Sequence, residues 1–434
     1  MADIEYIYQK YLITRSVTID ARNVSPGSLF FAIRGTKFNG NEFAEAALAK
    51  GASYAIIDDP AYMQPSSAYI LVEDSLSTLH YLANYHRRQY GIHFPVIGIT
   101  GSYGKTTTKE LIWRVLHTTY KTVATKGNLN TSIGVALTLL SMAQDTEIAV
   151  VEMGATQLKD IALCCSIAEP THGIITAIGD AHLESFYNLE GIIQGKGELY
   201  NYLYLTQGIV FLNTLDTLLQ PMSARLPNLV TYPQANDFAP LDLVSENPYL
   251  CYRSPEGTHV RTNLLGKPHI YNIAAALCVA KYFKVPIEAA HQAIQTYVPK
   301  NFRMELVVKG SNQLLIDSYN ASPASMQTAL DTLLQLKSAY YIAILGDMAE
   351  LGSKTAIWHD KIIAQLCHSS YNLVLLCGPL FTVAASKKPH KNIHCFPNKE
   401  ILVDYLCTRN FQHSAILLKG TNALAMHTLA EHIR

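Results

Sequence analysis

The sequence predicts an α/β protein of three domains, on the basis of three observations. The chain has 434 residues, which corresponds to about three domains of ordinary size. Short apolar runs rich in β-formers alternate with helical stretches from one end to the other. Hydrophobic residues make up 49% and charged residues 16%, as in a globular protein with well-filled cores. We expect a small N-terminal α/β domain at 1–92, a central P-loop ATPase domain with a parallel sheet at 93–300, and a Rossmann-like C-terminal domain at 301–434.

The three predicted domains differ in their strand patterns. In the first, short runs alternate with helical stretches, which indicates a small α/β unit. The second and third contain continuous apolar runs, which are typical of parallel strands covered on both faces. The predicted strands are 28–33, 54–57, 69–72, 96–100, 148–151, 173–176, 208–212, 314–316, 341–345, 373–376 and 415–418. The main predicted helices are 42–50, 75–90, 105–116 and 271–283, whereas 232–262 is rich in Pro, Asn and Ser and predicts loops with short strands.

Composition excludes several classes of protein. The formal net charge is zero, which argues against a general binder of nucleic acid or of membrane surfaces. The eight cysteines form no CxxC pair, so we expect reduced thiols rather than a disulfide scaffold or a zinc site. The first residues include acids where a signal peptide has basic residues, and no apolar run reaches the ~20 residues of a membrane helix. We therefore expect a cytoplasmic protein without membrane or nucleic-acid partners.

A phosphate-binding loop follows the first strand of the central region. The segment is Gly101, Ser102, Tyr103, Gly104, Lys105, Thr106 and Thr107. Its glycines let the backbone curl around an oxyanion, its lysine supplies a positive charge, and a helix begins there with free amides. Thr106 offers a hydroxyl to the magnesium that accompanies a nucleotide. The strict pattern GxxxxGK[ST] is missed, since residue 99 is Ile, but strand, glycines, lysine, hydroxyls and helix together favour a nucleotide site over a glycine turn with a surface lysine.

Three further polar residues follow later in the central region. Glu152 ends the strand 148–151, and a carboxylate at the carboxyl end of a parallel strand faces the crevice where such sheets bind ligands. His182 follows the next strand, and Lys196 lies fourteen residues further on, at a predicted helix start. Taken alone, the histidine would more often be a solvated loop residue and the lysine a surface charge.

Segments along nearly the whole chain resemble the Mur ligases of peptidoglycan synthesis. The first region contributes IDAR at 19–22 and PGSLFFAIRG at 26–35. The central region contributes TGSYGKTTTK at 100–109, which includes the phosphate loop, GNLNTSIG at 127–134, VEMG at 151–154, AHLE at 181–184 and KGE at 196–198. The third contributes DSYNASP at 317–323, LGDMAELG at 345–352 and KGT at 419–421. The segments at 317–323 and 345–352 are similar to the branch of the family that adds a dipeptide. The resemblance therefore implies an ATP-dependent ligase that joins D-alanyl-D-alanine to UDP-N-acetylmuramoyl-tripeptide.

The same resemblance implies the cofactors and the roles of the site residues. Lys105 and the loop amides would hold ATP phosphates. Thr106 and Glu152 would bind one Mg²⁺, and His182 with a carbamylated Lys196 would serve a second. Nucleotide contacts are expected from Asn272, Arg303, Asp317 and Asn320, of which Asn320 contacts either the adenine or the incoming amine. Lys105, Glu152, His182 and Lys196 would be catalytic.

The substrate side is also implied by the resemblance. The first domain would bind the UDP part of the nucleotide-peptide, and the third would bind the dipeptide. The residues expected to bind substrate are Arg22, Gly40, Asn41, Asn128, Asn130 and Thr131. Departures from the family pattern occur at Ala21, at His269, at Asn422 and in the segment 39–41. We expect a monomer.

Four alternatives to a dipeptide-adding ligase remain open from the sequence. A folylpolyglutamate synthase-like ligase shares the central domain but lacks a segment such as 26–35. A sister Mur ligase would read its amino acid through an Asp-x-x-Arg segment that the third region lacks at a matching place. A P-loop ATPase without ligase activity, or a non-catalytic family member, would bind ATP and transfer nothing to a carboxylate.

Overall fold

The computed structural model of the chain describes residues 3–36, 38–180, 183–300 and 302–433. It confirms the predicted α/β class. In the N-terminal region a four-stranded parallel sheet has the order β1-β2-β3-β4. Its strands are β1 (Val17–Thr18), β2 (Leu29–Phe31), β3 (Tyr54–Ile57) and β4 (Tyr69–Leu71), and its helices are α1 (Ile4–Thr14), α2 (Ala44–Ala49) and α3 (Ser75–Arg88).

The central region contains a six-stranded, fully parallel sheet of order β10-β9-β8-β5-β7-β6. Strand β5 (Val96–Thr100), the first of these in the chain, is buried at every residue, as its unbroken apolar sequence predicts. The strands are β5 (Val96–Thr100), β6 (Thr122–Ala124), β7 (Ile148–Glu152), β8 (His172–Ile175), β9 (Ile209–Asn213) and β10 (Leu229–Tyr232). The helices are α4 (Lys105–His117), α5 (Ser132–Leu139), α6 (Asp160–Ala168), α7 (Leu183–Phe186), α8 (Leu189–Thr206) and α9 (Leu219–Ser223).

A small antiparallel sheet follows within residues predicted to be loops with short strands. It has the order β11-β12-β13, with strands β11 (Asp242–Glu246), β12 (Tyr249–Arg253) and β13 (His259–Leu265). Leu250 and Tyr252 alternate with more exposed neighbours and pack into the core beneath α10 (His269–Tyr282) and α11 (Ile287–Gln295). The alternation was too short in sequence to separate a sheet from loops.

The C-terminal region has a six-stranded sheet of order β14-β15-β19-β16-β17-β18, in which only the pair β14–β15 is antiparallel. Strands β15 to β19 therefore form a Rossmann-like layer. The strands are β14 (Glu305–Lys309), β15 (Asn312–Asp317), β16 (Tyr340–Gly346), β17 (Leu373–Cys377), β18 (Ile393–Phe396) and β19 (Ser414–Lys419). The helices are α12 (Pro323–Gln335), α13 (Thr355–Cys367), α14 (Pro379–Ser386) and α15 (Lys399–Cys407).

The hydrophobic cores show how the regions are joined. One continuous core runs from Ile7 and Leu79 of the N-terminal region to Val135 and Leu199 of the central region. The C-terminal sheet has a core on each of its two faces, one of which also includes Leu265 of β13. The boundaries 92/93 and 300/301 stay predictions, although each sheet lies within one predicted domain.

Two further sequence predictions are wrong or incomplete. Lys196 does not start a helix, since α8 begins at Leu189, where the Asn188 side chain accepts a hydrogen bond from Gly191 N. Helix α1 was not predicted, although its apolar residues Ile7 and Tyr11 are buried at helical spacing.

All eight cysteines are free, and one of them, Cys407, is exposed. Among the described residues, no helix combines the length and the apolar character needed to span a membrane.

Candidate active site

A cavity of about 1120 Å³ lies between the carboxyl ends of the central strands and the C-terminal region. The central region contributes the phosphate loop, Glu152, Asn130 and the segment that follows β9. The C-terminal region contributes Arg303 and Asp317. The carboxyl edge of a parallel sheet is where α/β proteins bind ligands, and a cleft of this size fits a nucleotide.

The phosphate loop is shaped by glycines and is hydrogen-bonded to the segment that follows β8. Gly101 has φ 140° and Gly104 has φ 81°, and a Cβ at Gly101 would collide with the hydroxyl of Thr176. Ser102 N donates to Ala177 O at 2.8 Å, and Ser102 Oγ donates to Gly179 O at 2.9 Å. The loop therefore has a fixed shape before any phosphate binds, with α4 beginning at Lys105.

Lys105 is folded against its own loop. Its Nζ donates to Gly101 O at 2.6 Å, with Ser102 O at 3.4 Å. Burial lowers the pKa of Lys105 to about 8, an effect that Glu152 opposes and Arg303 reinforces. A phosphate group would supply the anionic partner that two carbonyl oxygens only partly replace.

Glu152 is a candidate magnesium ligand at the end of β7. Its Oε1 accepts from Thr106 Oγ1 at 3.1 Å and from Asn130 Nδ2 at 2.9 Å. Its Oε2 is buried and has no hydrogen-bond partner among the described residues. Within those residues no three His, Cys, Asp or Glu side chains converge on a metal position. One carboxylate with a neighbouring hydroxyl nevertheless fits Mg²⁺, which takes most of its other ligands from water and nucleotide phosphates.

Lys196 is buried in the middle of α8, with 1% of its surface exposed. Its Nζ donates to Ala155 O at 3.2 Å and lies 5.3 Å from the centre of the Phe186 ring. Burial, with a further contribution from Lys105, lowers the pKa of Lys196 to about 7, against the opposing effect of Asp160 and Glu198. A large fraction of this amine is therefore neutral and nucleophilic at neutral pH.

Asn272 and His269, on the first two turns of α10, line one side of the cavity. Asn272 Oδ1 accepts from Thr108 Oγ1 at 3.1 Å, and its Nδ2 donates to His269 Nδ1 at 2.9 Å. The ring proton of a neutral His269 is therefore on Nε2. Burial lowers the pKa of His269 to about 4, which keeps the ring neutral. His269, where the sequence departs from the family pattern, thus lines the cavity and contacts Asn272, which is predicted to bind the nucleotide.

The C-terminal region places a cation and an anion opposite the phosphate loop. The Arg303 guanidinium lies 3.7 Å from the centre of the Tyr319 ring, and its Nε is buried without a hydrogen-bond partner in the described part of the chain. Asp317 Oδ2 accepts from Lys419 Nζ at 2.5 Å, and Asp317 Oδ1 accepts from Met304 N at 3.2 Å. Asn320 is exposed at the cavity wall.

The predicted residues divide into those that the structure brings together and those that it does not. Lys105, Thr106, Glu152, Asn130, Thr131, Asn272, Arg303, Asp317 and Asn320 all line the cavity, as do Ser102, Tyr103, Gly104 and Thr107. Lys196 lies behind Ala155 in the cavity wall. His182 lies outside the described residues.

Four residues predicted to bind substrate do not line this cavity. Arg22 is exposed and paired with Asp20 at 2.9 Å, and Asn128 is exposed. Asn41 is buried, where its amide donates to Asp58 Oδ1 and accepts from Asp58 N. Gly40 packs against the backbone of Ile33, which leaves no space for a side chain. The side chain of Asn41 is therefore engaged within the N-terminal region.

Sequence reasoning gave no role to two buried lysines near the cavity. Lys419 belongs to the recognised segment 419–421 and binds Asp317 and Asn320 O, at 3.0 Å for the latter. Lys109 lies one turn beyond the phosphate loop, with Thr125 O as a partner at 2.6 Å. Both lie in segments that resemble the family, but the resemblance gave neither of them a role, and burial of a lysine depends on tertiary packing.

Family models match three parts of the chain. The description "Mur ligase middle domain" applies to residues 99–280, "Mur ligase, glutamate ligase domain" to 302–422, and "Mur ligase family, catalytic domain" to 14–87. The matched parts contain the phosphate loop, Glu152 and the cavity residues of the C-terminal region.

Curated relatives are similar over most of their length. The chain is 32% identical to the UDP-N-acetylmuramoyl-tripeptide–D-alanyl-D-alanine ligase of Bacillus subtilis, over 85% of this chain and 81% of that protein. It is 28% identical to the ligase of the same name from Escherichia coli, over 96% of this chain and 93% of that protein.

Solved structures show the same arrangement. MurF ligase from Thermotoga maritima in complex with ADP has a TM-score of 0.83 and 27% identity, covering 100% of this chain and 98% of the other. MurF from Acinetobacter baumannii has a TM-score of 0.84 and 25% identity, covering 98% and 97%. A folylpolyglutamate synthase from Mycobacterium tuberculosis, at 15% identity, shares the fold alone.

Proposed function

Because this chain belongs to the Mur ligase family, we propose that it joins D-alanyl-D-alanine to UDP-N-acetylmuramoyl-tripeptide. It is an ATP-dependent ligase that uses Mg²⁺. One observation in the molecule supports the proposal most directly. The phosphate loop and Glu152 face Arg303 and Asp317 across a single cavity that extends to Asn130 and Thr131. That cavity offers cationic and metal-binding groups for a triphosphate beside polar groups for a second substrate.

The reaction must first make a carboxylate reactive. A carboxylate is a poor acylating agent, so its oxygen takes the γ-phosphoryl group of ATP to form an acyl phosphate. Lys105 and the loop amides hold the phosphates in line, and Arg303 faces them from the C-terminal region. Glu152 and Thr106 would hold Mg²⁺, which neutralises charge on the transferred group. The amine of the dipeptide then attacks the acyl carbon, and phosphate leaves as the amide forms.

Lys196 would act as a carbamate. Its neutral amine adds to CO₂, so that an N–C bond forms and a proton is lost to solvent, which leaves an oxygen anion in place of a cation. The low pKa, near neutrality, provides the nucleophilic amine, and burial behind Ala155 protects the product from water. Together with His182, the carbamate oxygens would serve the second Mg²⁺.

The two substrates would enter from opposite regions. Asn130 and Thr131 lie on the central side of the cavity, where the nucleotide-peptide carboxylate is expected. Thr421 and Asn422 line the wall formed by the C-terminal region, where the dipeptide is expected. Arg22, Gly40, Asn41 and Asn128 would contribute to binding of the UDP part, outside the cavity described above. We further propose that the enzyme acts as a cytoplasmic monomer.

A phosphate-release assay tests the proposed reaction. Purified protein with ATP and Mg²⁺ should release phosphate only when UDP-N-acetylmuramoyl-tripeptide and D-alanyl-D-alanine are both present. Release that does not depend on the dipeptide contradicts the proposal, and release supported by a single amino acid in its place indicates a sister ligase. Lys105→Ala is the control for contaminating ATPases, since it should abolish the dependent release.

The carbamate is tested with Lys196→Ala. We expect its activity to fall at least a hundredfold and to recover in part when a short carboxylate such as acetate is added, because the carboxylate replaces the missing oxygen anion. Lys159→Ala, at the exposed lysine that immediately precedes α6, is the control and should respond to neither change. Wild-type activity in Lys196→Ala, or a loss that no carboxylate restores, would argue against the carbamate.

A further inference from the structure

A fully buried ammonium group lies behind the phosphate loop, where the proposed reaction does not use it. Lys109 has 0% of its surface exposed and lies one helical turn after Lys105 on α4. Its Nζ donates to Thr125 O at 2.6 Å and to Gly127 O at 3.1 Å, and it lies 2.8 Å from Glu110 Oε1. An ammonium taken out of water is tolerated only where its hydrogen bonds are made. Two of its partners, Thr125 O and Gly127 O, join α4 to the segment that follows β6, whereas Glu110 neighbours it on α4 itself.

That segment, residues 125–130, contacts Glu152 at both its backbone and its carboxylate. Thr125 Oγ1 accepts from Glu152 N at 3.0 Å, and Thr125 N donates to Val150 O at 3.0 Å. At its other end, Asn130 Nδ2 donates to Glu152 Oε1 at 2.9 Å, and Asn130 O accepts from Gly154 N at 2.7 Å. The segment therefore spans the carboxyl end of β7, and Lys109 binds both its first residue, Thr125, and Gly127 in its middle.

We propose that Lys109 is a positioning residue for the magnesium site. Its ammonium anchors Thr125 and Gly127, so that Asn130 holds Oε1 of Glu152 and leaves Oε2 as the free acceptor. The proposal rests on the proposed function, because it takes Glu152 as a magnesium ligand. Lys109 acts through Asn130 and Thr125 and does not itself contact the nucleotide or the metal.

The chemistry of the side chain fits this role. An ammonium on a four-carbon stem presents three donors from one point, and three acceptors from two different chain segments surround it here. An arginine would need a planar arrangement of acceptors, and a methionine would fill the space without holding either carbonyl. Partners that orient a metal ligand change metal affinity by about 10- to 100-fold when they are removed.

The experiment compares Lys109→Met and Lys109→Arg with Lys121→Met, a matched change at an exposed lysine after α4. Two affinities are measured on the full chain: Mn²⁺ for the ADP complex, by the spin-resonance signal of free Mn²⁺, and ADP without divalent ions, by calorimetry. We expect Lys109→Met to weaken Mn²⁺ binding about tenfold, with less than a twofold change in metal-free ADP binding. Lys109→Arg should lie between wild type and Lys109→Met, and Lys121→Met should match wild type.

A double-mutant cycle separates positioning from general destabilisation. In an Asn130→Ala background, Lys109→Met should weaken Mn²⁺ binding by less than a further twofold, because both changes act on one path. Additive losses, or equal losses of Mn²⁺ and metal-free ADP binding, would overturn the proposal. If Lys109→Met does not fold, the Mn²⁺ affinity of Lys109→Arg decides the question. A Lys109 variant that binds Mn²⁺ as the wild type does, but has a lowered melting temperature, would show that Lys109 has a structural role only.

Glu152→Gln distinguishes failure of this inference from failure of the proposed function. It should lose Mn²⁺ binding more completely than any Lys109 variant. Unchanged Mn²⁺ binding in Glu152→Gln contradicts the magnesium assignment itself. Lost binding in Glu152→Gln with wild-type binding in both Lys109 variants contradicts only the positioning role.

Discussion

Two arginines, Arg87 and Arg303, lie at the two boundaries of the central region and are held in opposite ways. Arg87, on α3, donates from Nε to Ala168 O at 3.2 Å, from Nη1 to Gly91 O at 2.9 Å and from Nη2 to Glu169 O at 3.0 Å. Arg303 lies against the Tyr319 ring, and its Nε has no partner in the described part of the chain. The first guanidinium is satisfied by protein, whereas the second retains a donor for a ligand.

Hydrophobic packing also differs between the two boundaries of the central region. The N-terminal region shares one hydrophobic core with the central region, and buried His86 adds polar contacts from α3 to Tyr8, Tyr11 and the carbonyl of Met142. At the other boundary a large cavity separates the regions, and the contacts beside it include Lys354 Nζ with Asp180 Oδ2 at 3.4 Å and Glu184 N with Glu350 O at 3.3 Å. The first boundary contributes to stability, and the second is arranged for binding.

The largest effect is expected from Arg303→Ala. Loss of a cation that faces the transferred phosphoryl group should lower kcat about a hundred- to a thousandfold. The free energy of unfolding should fall by only about 1 kcal/mol, since the contact with the Tyr319 ring is lost but Nε has no protein partner to lose. Steady-state phosphate release and urea unfolding measure the two quantities. Arg303→Lys should recover part of kcat, since it keeps the charge without the planar donors. A stability loss that accounts for the activity loss would remove the contrast with Arg87.

Arg87→Met should give the reverse pattern. It removes a donor from three carbonyl oxygens, of which Gly91 O keeps a hydrogen bond from Phe94 N at 3.3 Å. We therefore expect a loss of about 3 kcal/mol in the free energy of unfolding and an unchanged kcat per folded molecule. Urea unfolding followed by activity at a permissive temperature provides the test. Arg88→Met is the matched control, because Arg88 is exposed and its pair with Glu169 is expected to contribute less than about 1 kcal/mol. Reduced kcat in folded Arg87→Met would show that the first boundary also serves catalysis.

The first boundary should also be sensitive to acid. Tyr11 donates its proton to Leu140 O and Met142 O only accepts, so the Nε2 of His86 carries the ring proton and Nδ1 accepts from Tyr8. Burial, reinforced by Arg15, lowers the pKa of His86 to about 4, against the hydrogen bond to Met142 O. Below pH 6.5 the unfolded chain therefore binds more protons than the folded one, and stability falls as the pH drops towards 4.

At about 1.4 kcal/mol per pH unit, this histidine should cost about 2 kcal/mol between pH 6.5 and 5. His86→Gln cannot titrate, so its free energy of unfolding should depend on pH less steeply than that of wild type. His172 and His269 also have pKa values lowered to about 4 by burial and stay in both proteins. Parallel pH profiles for wild type and variant would assign the acid sensitivity to those other histidines.

The smallest effect is expected from Lys354→Ala. Its pair with Asp180 is 3.4 Å long and the lysine side chain is 47% exposed, so we expect a change below about 0.5 kcal/mol in the free energy of unfolding. Urea unfolding at low and high salt measures it, and Lys354→Gln controls for the shortened side chain. A loss above 1 kcal/mol would mean that the second boundary is fixed as firmly as the first.

Sequence determined much of this protein without tertiary information. The phosphate loop and the strand-end Glu152 depend on local order, because glycines, a lysine and a helix start must follow one another along the chain. The continuous apolar runs at 96–100 and 148–151 likewise predicted buried parallel strands at the observed places. The same patterns predicted the N-terminal, central and C-terminal sheets in their order along the chain.

Only the tertiary structure decided which lysines are buried and which cavity the regions share. Lys109, Lys196 and Lys419 lie in segments that resemble the family, but no local pattern showed that they are buried. Their burial follows from contacts with Thr125, Ala155 and Asp317, which are distant in the chain. Arg303, just before β14, faces the phosphate loop across the shared cavity only in the folded chain. Local patterns specify elements, whereas desolvation and partners are properties of packing, and these set the pKa values and free donors on which the chemistry depends.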